Sequence, residues 1–198
     1  MYDATTMNPL SQTEAERLLT PHLSDLAAPV YAAWRAWDAL TPPARQPLSP
    51  RTRANWLYDM TVAHAKATLD RPPTFTYTEQ PGFLLVTVEG VVAIRYKKLD
   101  DEMGICGIRT RQFQMWGTQA PLPGIEPLTH LVAGYQVSEF GKLQGVVLVC
   151  SQGRRVLWHI EAPAAPANLA ALPAPAESPE PRVTPVHRRD DAGEGRQG

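Results

Sequence analysis

The spacing of apolar positions changes once along the chain. Between about residues 11 and 69 they recur at helical intervals; between about 83 and 161 they alternate or run together. Ser11-Gln12-Thr13-Glu14 has the form of a capping box: the Ser11 hydroxyl accepts from the Glu14 N–H, and the Glu14 carboxylate accepts from the Ser11 N–H. It predicts a short helix over about 12–20, with Leu18 and Leu19 on its apolar side and Pro21 ending it. Pro29 suits a first helical turn, where its missing N–H costs nothing, so a second helix is expected over about 29–40. Val30, Trp34 and Trp37 form its stripe, and Thr41-Pro42-Pro43 stops it. Ser49 as N-cap and Pro50 at the first position open a third helix that runs to about Leu69. Trp56, Met60, Ala63 and Ala67 line one face of it, opposite Asn55, Asp59 and Lys66. Arg71-Pro72-Pro73 is the exit.

Beyond that point the period is two. Residues 83–88 and 91–97 flank Glu89-Gly90, which reads as a two-residue hairpin. That register puts Phe83, Leu85, Val92, Ile94 and Tyr96 on one face, and Val86, Val88, Val91 and Ala93 on the other, with Arg95 and Lys97 at its far end. Both faces are apolar near the turn, so the hairpin is expected to be central and covered on both sides. Residues 100–107 read as a loop, 109–116 as a short helix, and Pro121-Leu122-Pro123-Gly124 as a fixed turn. Three more strands are expected at about 129–137, 143–150 and 154–161. Helices followed by about five strands predict an α+β fold with a mostly antiparallel sheet.

Composition sets the boundaries. Seven Pro and nine Ala fall in the last 37 residues, with no apolar period, so 162–198 are expected to be disordered. Residues 1–10 read as a flexible end, leaving 11–161 as a single domain. Twenty prolines, about twice the usual 5%, concentrate at element ends and in the tail. The basic residues are 15 Arg and 4 Lys, which with the abundant Ala and Pro suggests a GC-rich bacterial genome. The N-terminus lacks a basic and an apolar region, and no apolar run approaches the roughly 20 residues of a membrane span. Two cysteines are too few for a secreted disulfide scaffold. Cytoplasmic location with reduced thiols follows as the expectation.

Net charge is −1, so charge alone does not mark a nucleic-acid-coating protein. A local patch is the remaining route: Arg95-Tyr96-Lys97-Lys98, then Arg109-Thr110-Arg111-Gln112. Arg and Lys engage phosphates, Thr and Gln add hydrogen bonds, and Tyr96 has a ring to stack on a base. Asp100-Asp101-Glu102 weakens the local field, and a strand end and loop solvated by mixed charges is the plainer account. His22, His64, His130, His159 and His187 lack metal-ligand spacing, so neither metal nor cofactor is expected. His130 and His159 fall where they could meet across the sheet, but a pair is not a metal site. Cys106, in a Gly-rich loop, has only Arg109 nearby to lower its thiol pKa, and Cys150 reads as core. No nucleophile elbow, Walker loop or dinucleotide fingerprint is present. Trp34, Trp37 and Trp56 are either core or an interface anchor.

At Lys97-Lys98-Leu99-Asp100, Thr110-Arg111-Gln112, Pro121-Leu122-Pro123-Gly124-Ile125 and Gly134-Tyr135, the chain resembles a family of uncharacterised bacterial proteins. The resemblance covers about 50–160. It implies one bacterial domain, an association with regulators or mobile-element genes, and no catalytic residues. The expectation is a non-enzymatic binding or regulatory protein acting through a protein partner; the alternative is a nucleic-acid-binding accessory protein that uses the basic segment.

Overall fold

The structure is a computed structural model that describes residues 8–80, 82–106, 111–119 and 128–164, with 111–113 described by backbone alone. The expected tail from 165 onward, the Pro121–Gly124 turn and Arg109 lie outside the described residues.

The fold is α+β, with N-terminal helices followed by a mostly antiparallel sheet. Helix α1 (Gln12–Leu19) starts on the expected capping box, with the Ser11 N–H donating to Glu14 Oε2 at 2.9 Å and the Glu14 N–H to Ser11 Oγ at 3.4 Å. A 3-10 turn (Thr20–His22) carries Pro21 and leads into α2 (Leu23–Ala39). Pro29 therefore lies inside a helix that starts six residues before it, not at a helix start. An interior proline removes one backbone bond; Leu23, Leu26 and Ala27, in the turn ahead of it, are buried in the core and hold that turn in place. A short α3 (Pro42–Arg45) precedes α4 (Pro50–Thr68), whose N-cap Ser49 accepts the Thr52 N–H at 3.1 Å.

The buried stripe of α4 is Leu57, Thr61, His64 and Ala65, while Ala63 and Ala67 are exposed. The expected face was thus one position off. Thr61 can sit inside because its hydroxyl donates to the Leu57 carbonyl at 2.7 Å, whereas His64 is buried with its Nε2 unpartnered among the described residues.

Six strands form one sheet in sequence order: β1 (Phe75–Gln80), β2 (Phe83–Val88), β3 (Val92–Lys98), β4 (Thr129–Val137), β5 (Leu143–Gln152) and β6 (Arg155–Glu161). Neighbours are antiparallel except β3 and β4, which run parallel and are joined by a crossover containing α5 (Arg111–Gly117). Strand β1 is the one missing from the expected five. The β2–β3 hairpin also differs from expectation. Val88 pairs with Val92, so the loop is Glu89-Gly90-Val91, with Glu89 and Gly90 at φ 49° and 67°. One extra loop residue slips the register and exchanges the faces of one strand relative to the other. Val86, Val88, Val92, Ile94 and Tyr96 now share a face; Phe83, Leu85, Ala93, Arg95 and Lys97 share the opposite one. Both faces are buried near the turn, as expected.

Helices α1, α2 and α4 cover the first of these faces, where Leu26, Val30, Leu57, Ile94, Leu131 and Leu148 make the main core. On the opposite face Trp116 of α5 packs with Phe83, Leu85, Ala93 and Val132 in a smaller core. Leu10, just ahead of α1, is held as well; residues 1–7 of the expected flexible end lie outside the described residues. The Leu10 N–H donates to Thr129 Oγ1 at 3.1 Å, and its carbonyl accepts from Trp158 Nε1 at 2.9 Å.

Candidate functional site

Alternation along β3 divides the basic segment between two faces. Tyr96 is 2% exposed and its hydroxyl donates to the Leu26 carbonyl at 3.1 Å, so its ring is core and unavailable for stacking on a base. Arg95 is buried on the opposite face, and Lys97 is half-buried beside it. Lys98 is exposed and returns to the helical side. Arg111 and Gln112 lie in the first turn of α5, known by backbone only.

Lys98 lines a cleft of about 290 Å³ at the end of the sheet, between α2, the start of α4 and β4. Trp34 and Trp37 of α2 and Tyr135 of β4 form its aromatic wall, and Arg45 and Arg53 join Lys98 as its cations. No Asp or Glu lines it among the described residues. Helical spacing explains the two tryptophans: they are three apart, so both face the sheet and α4. Arg53 is held in place at the bottom of α4. Its guanidinium carbon lies 4.7 Å from the Trp34 ring and 5.3 Å from the Trp37 ring, and its Nη2 donates to the Gly141 carbonyl at 2.6 Å. Arg45 makes only a long, exposed pair with Asp38 at 3.5 Å.

The side chains of the wall are mostly buried, with their polar atoms left reachable at the cleft. Trp34, Trp37 and Tyr135 are 7%, 5% and 6% exposed, and their N–H and O–H groups bond nothing among the described residues. Burial pushes the Tyr135 hydroxyl up to about 12, with Arg53 opposing, so it remains a neutral donor. Donors and cations without acids define an acceptor-seeking cleft, suited to an anionic group carried on an apolar body.

The other candidates do not assemble into a centre. His130 is buried and stacked on Trp116, His159 is exposed, and β5 runs between their strands. No group of three His, Cys, Asp or Glu that could hold a metal occurs among the described residues. Burial and then Asp100 push the Cys106 thiol up, away from the thiolate a nucleophile needs. Burial holds Cys150 up at about 12. Among the described residues no helix is long and apolar enough to cross a membrane.

Sequence reasoning had the parts of the cleft but not their meeting. The Trp stripe and Lys98 stand out separately, Tyr135 enters only through the family resemblance, and Arg53 has no signal of its own. No family model, no curated protein and no solved structure matches the chain.

Proposed function

We propose that this chain is a non-enzymatic binding or regulatory protein that acts through a protein partner, seating an acidic segment of that partner in the cleft at the start of α4. One observation carries the reading: three side chains more than nine-tenths buried, Trp34, Trp37 and Tyr135, line a cation-ringed cleft with polar hydrogens that bond nothing among the described residues. Trp, Tyr and Arg are the residues that dominate binding hot spots between proteins. Leu48 and Val137 at the same cleft supply apolar contact. A nucleic-acid partner is the rival. Its support is weaker, because Arg95 and Tyr96 are buried and, among the described side chains of the basic segment, Lys98 alone reaches the cleft.

The test is selection of a random peptide library on the full-length chain, followed by affinity measurements with the selected peptides. Acidic peptides bearing a bulky apolar residue should be enriched, and Lys98→Glu should weaken them at least about tenfold, one desolvated charge contact. Peptides that bind Lys98→Glu as well as the original chain would remove the cleft reading. Labelled single- and double-stranded DNA at low salt completes the experiment, since phosphate contacts are strongest there. DNA binding tighter than any selected peptide would shift the assignment to nucleic acid.

A further inference from the structure

Arg95, away from the cleft, is a buried cation without a counter-charge among the described residues. It is 8% exposed, its Nε is sealed from solvent, and no acceptor bonds its guanidinium among the described residues. The guanidinium carbon lies 3.9 Å from the Phe83 ring centroid and 5.2 Å from that of Trp116. Such contacts return only part of what desolvating a charge costs. Two residues on, and on the same face, Lys97 is half-buried with its Nζ 5.4 Å from the Tyr58 ring, again without a carboxylate partner among the described residues. Burial, then repulsion from Arg95, holds the Lys97 pKa below its ordinary value.

The backbone explains why these groups meet. The β2–β3 ladder covers only Val86–Val88 against Val92–Ile94, although β2 begins at Phe83 and β3 continues to Lys98. Where the ladder has ended, the Tyr58 hydroxyl accepts the Leu84 N–H at 3.3 Å, in place of a strand partner. Burial keeps that phenol protonated, so its own O–H remains to donate. Among the described residues, the acids around this end of the sheet do not serve the two cations: Glu79 bonds Lys66 at 2.6 Å, and Asp59 pairs with neither.

We propose that Arg95, Lys97 and the Tyr58 hydroxyl form a binding site for a phosphate-type oxyanion at the open end of the β2–β3 pair, with the Phe83 ring as its apolar wall. Charge selects the class. A phosphate group carries about −1.5 to −2 near neutrality and matches two cations, whereas one carboxylate leaves a half-buried positive charge. Three acceptor oxygens also suit a guanidinium fork, an ammonium and a phenol together. The same chemistry is offered by free inorganic phosphate and by the terminal group of a phosphate ester. Its two cations lie on the opposite face of the sheet from the cleft, Tyr58 reaches them from α4 past the open end of the pair, and the site does not depend on the partner reading.

The test is calorimetric titration of the full-length chain near neutral pH with inorganic phosphate, with sodium chloride of matched ionic strength as reference. Saturable binding of one phosphate per chain is expected, with acetate at least about tenfold weaker. Lys97→Gln should weaken phosphate about tenfold, and Arg95→Met should abolish its binding. Arg95→Met should also melt no lower than the original chain in phosphate-free buffer, since it removes an unpaired buried charge. Arg155→Gln, exposed on β6 and outside both sites, should leave the titration unchanged. A nucleoside 5′-monophosphate identifies the source: equal affinity assigns the site to the phosphoryl group alone, tighter binding to its ester. No saturable binding, acetate equal to phosphate, or binding unchanged in Lys97→Gln would overturn the site. Lys97→Gln decides the matter alone if Arg95→Met does not fold.

Discussion

The Leu99 side chain packs directly on the backbone of Gly134, so closely that a Cβ on Gly134 would overlap Leu99 Cγ and Cδ1. Both positions follow from the parallel β3–β4 pair, which brings the Leu99 N–H to the Tyr135 carbonyl at 3.0 Å. Leu99 is 1% exposed and has little room to retreat. Gly134→Ala should therefore cost about 1–3 kcal/mol by overpacking, and Leu99→Ala about 2–5 kcal/mol by leaving a cavity. The double variant should cost less than the sum by at least about 1 kcal/mol, because the smaller side chain makes room for the new methyl. Urea unfolding of the three variants measures this. Strict additivity would mean that the two residues do not compete for the same space.

His130 supplies a pH dependence. Its ring stacks on Trp116 with centroids 4.3 Å apart and planes 10° from parallel, and its Nδ1 is buried without a partner. Burial lowers its pKa from the ordinary 6.5; the Trp116 backbone pulls upward and the Arg95 charge pushes further down. The unfolded chain thus takes up this proton more readily than the folded one, and stability must fall as pH drops below about 6.5. Above that value the contribution is fully present. His64, lowered by burial and then by Arg35, acts in the same sense. The melting temperature should be flat from about pH 8 to 7 and decline from about pH 6.5 downward. His130→Phe keeps the stack and should make the decline shallower, with His64 responsible for what remains. An unchanged decline would show that His130 does not titrate between the two states.

What was readable in the sequence, and what was not, divides along the range of the interactions. The Ser11 and Ser49 caps are local: each signal lies within three residues of the helix it starts, and both helices begin where the signal stands. Strand β1 escaped because it is an edge strand following a Pro-Pro pair; Phe75 is its one buried side chain, and Thr76, Thr78 and Glu79 are exposed. The hairpin faces depended on a single loop residue, Val91, whose place outside the ladder depends on a Thr129 N–H that reaches its carbonyl at 3.2 Å from a strand 38 positions away. The cleft was illegible for the same reason. Its walls come from Trp34, Arg53, Lys98 and Tyr135, spread over about 100 residues, and no periodicity within one element reports a meeting of four.

The cleft separates stability from binding at one atom. The Tyr135 hydroxyl bonds nothing among the described residues, so Tyr135→Phe should change unfolding free energy by less than about 0.5 kcal/mol. If that hydroxyl donates to a bound anion, the same variant should weaken a selected acidic peptide by about five- to tenfold. Arg53→Met is the contrasting case. It loses the bond to the Gly141 carbonyl and both Trp contacts, and should cost about 1–2 kcal/mol of stability as well as affinity. Equal losses of stability in the two variants would mean that the hydroxyl has a structural role.

Gln119 is expected to be the most sensitive polar residue of the domain. It is 2% exposed, and its amide continues the sheet where the β4–β5 ladder stops at Leu131 and Cys150. Its Oε1 accepts the His130 N–H at 2.8 Å, while its Nε2 donates to the His130 carbonyl at 2.9 Å and the Ser151 carbonyl at 3.0 Å. Gln119→Leu preserves volume but leaves three main-chain groups unbonded, and should cost about 3–5 kcal/mol. Gln119→Glu keeps an acceptor for the His130 N–H, yet as a carboxylate it turns oxygens toward two carbonyls. Burial and those carbonyls both raise the pKa of the new carboxyl, so its folded form binds a proton more tightly than its unfolded form. Acidification should then recover part of the loss in Gln119→Glu relative to Gln119→Leu, because the protonated acid can donate to one carbonyl. Urea unfolding of both variants at about pH 7 and 5 tests this, with the difference between them cancelling the histidine contribution common to both. A cost below about 1 kcal/mol for Gln119→Leu would show that water replaces the amide at the end of the ladder.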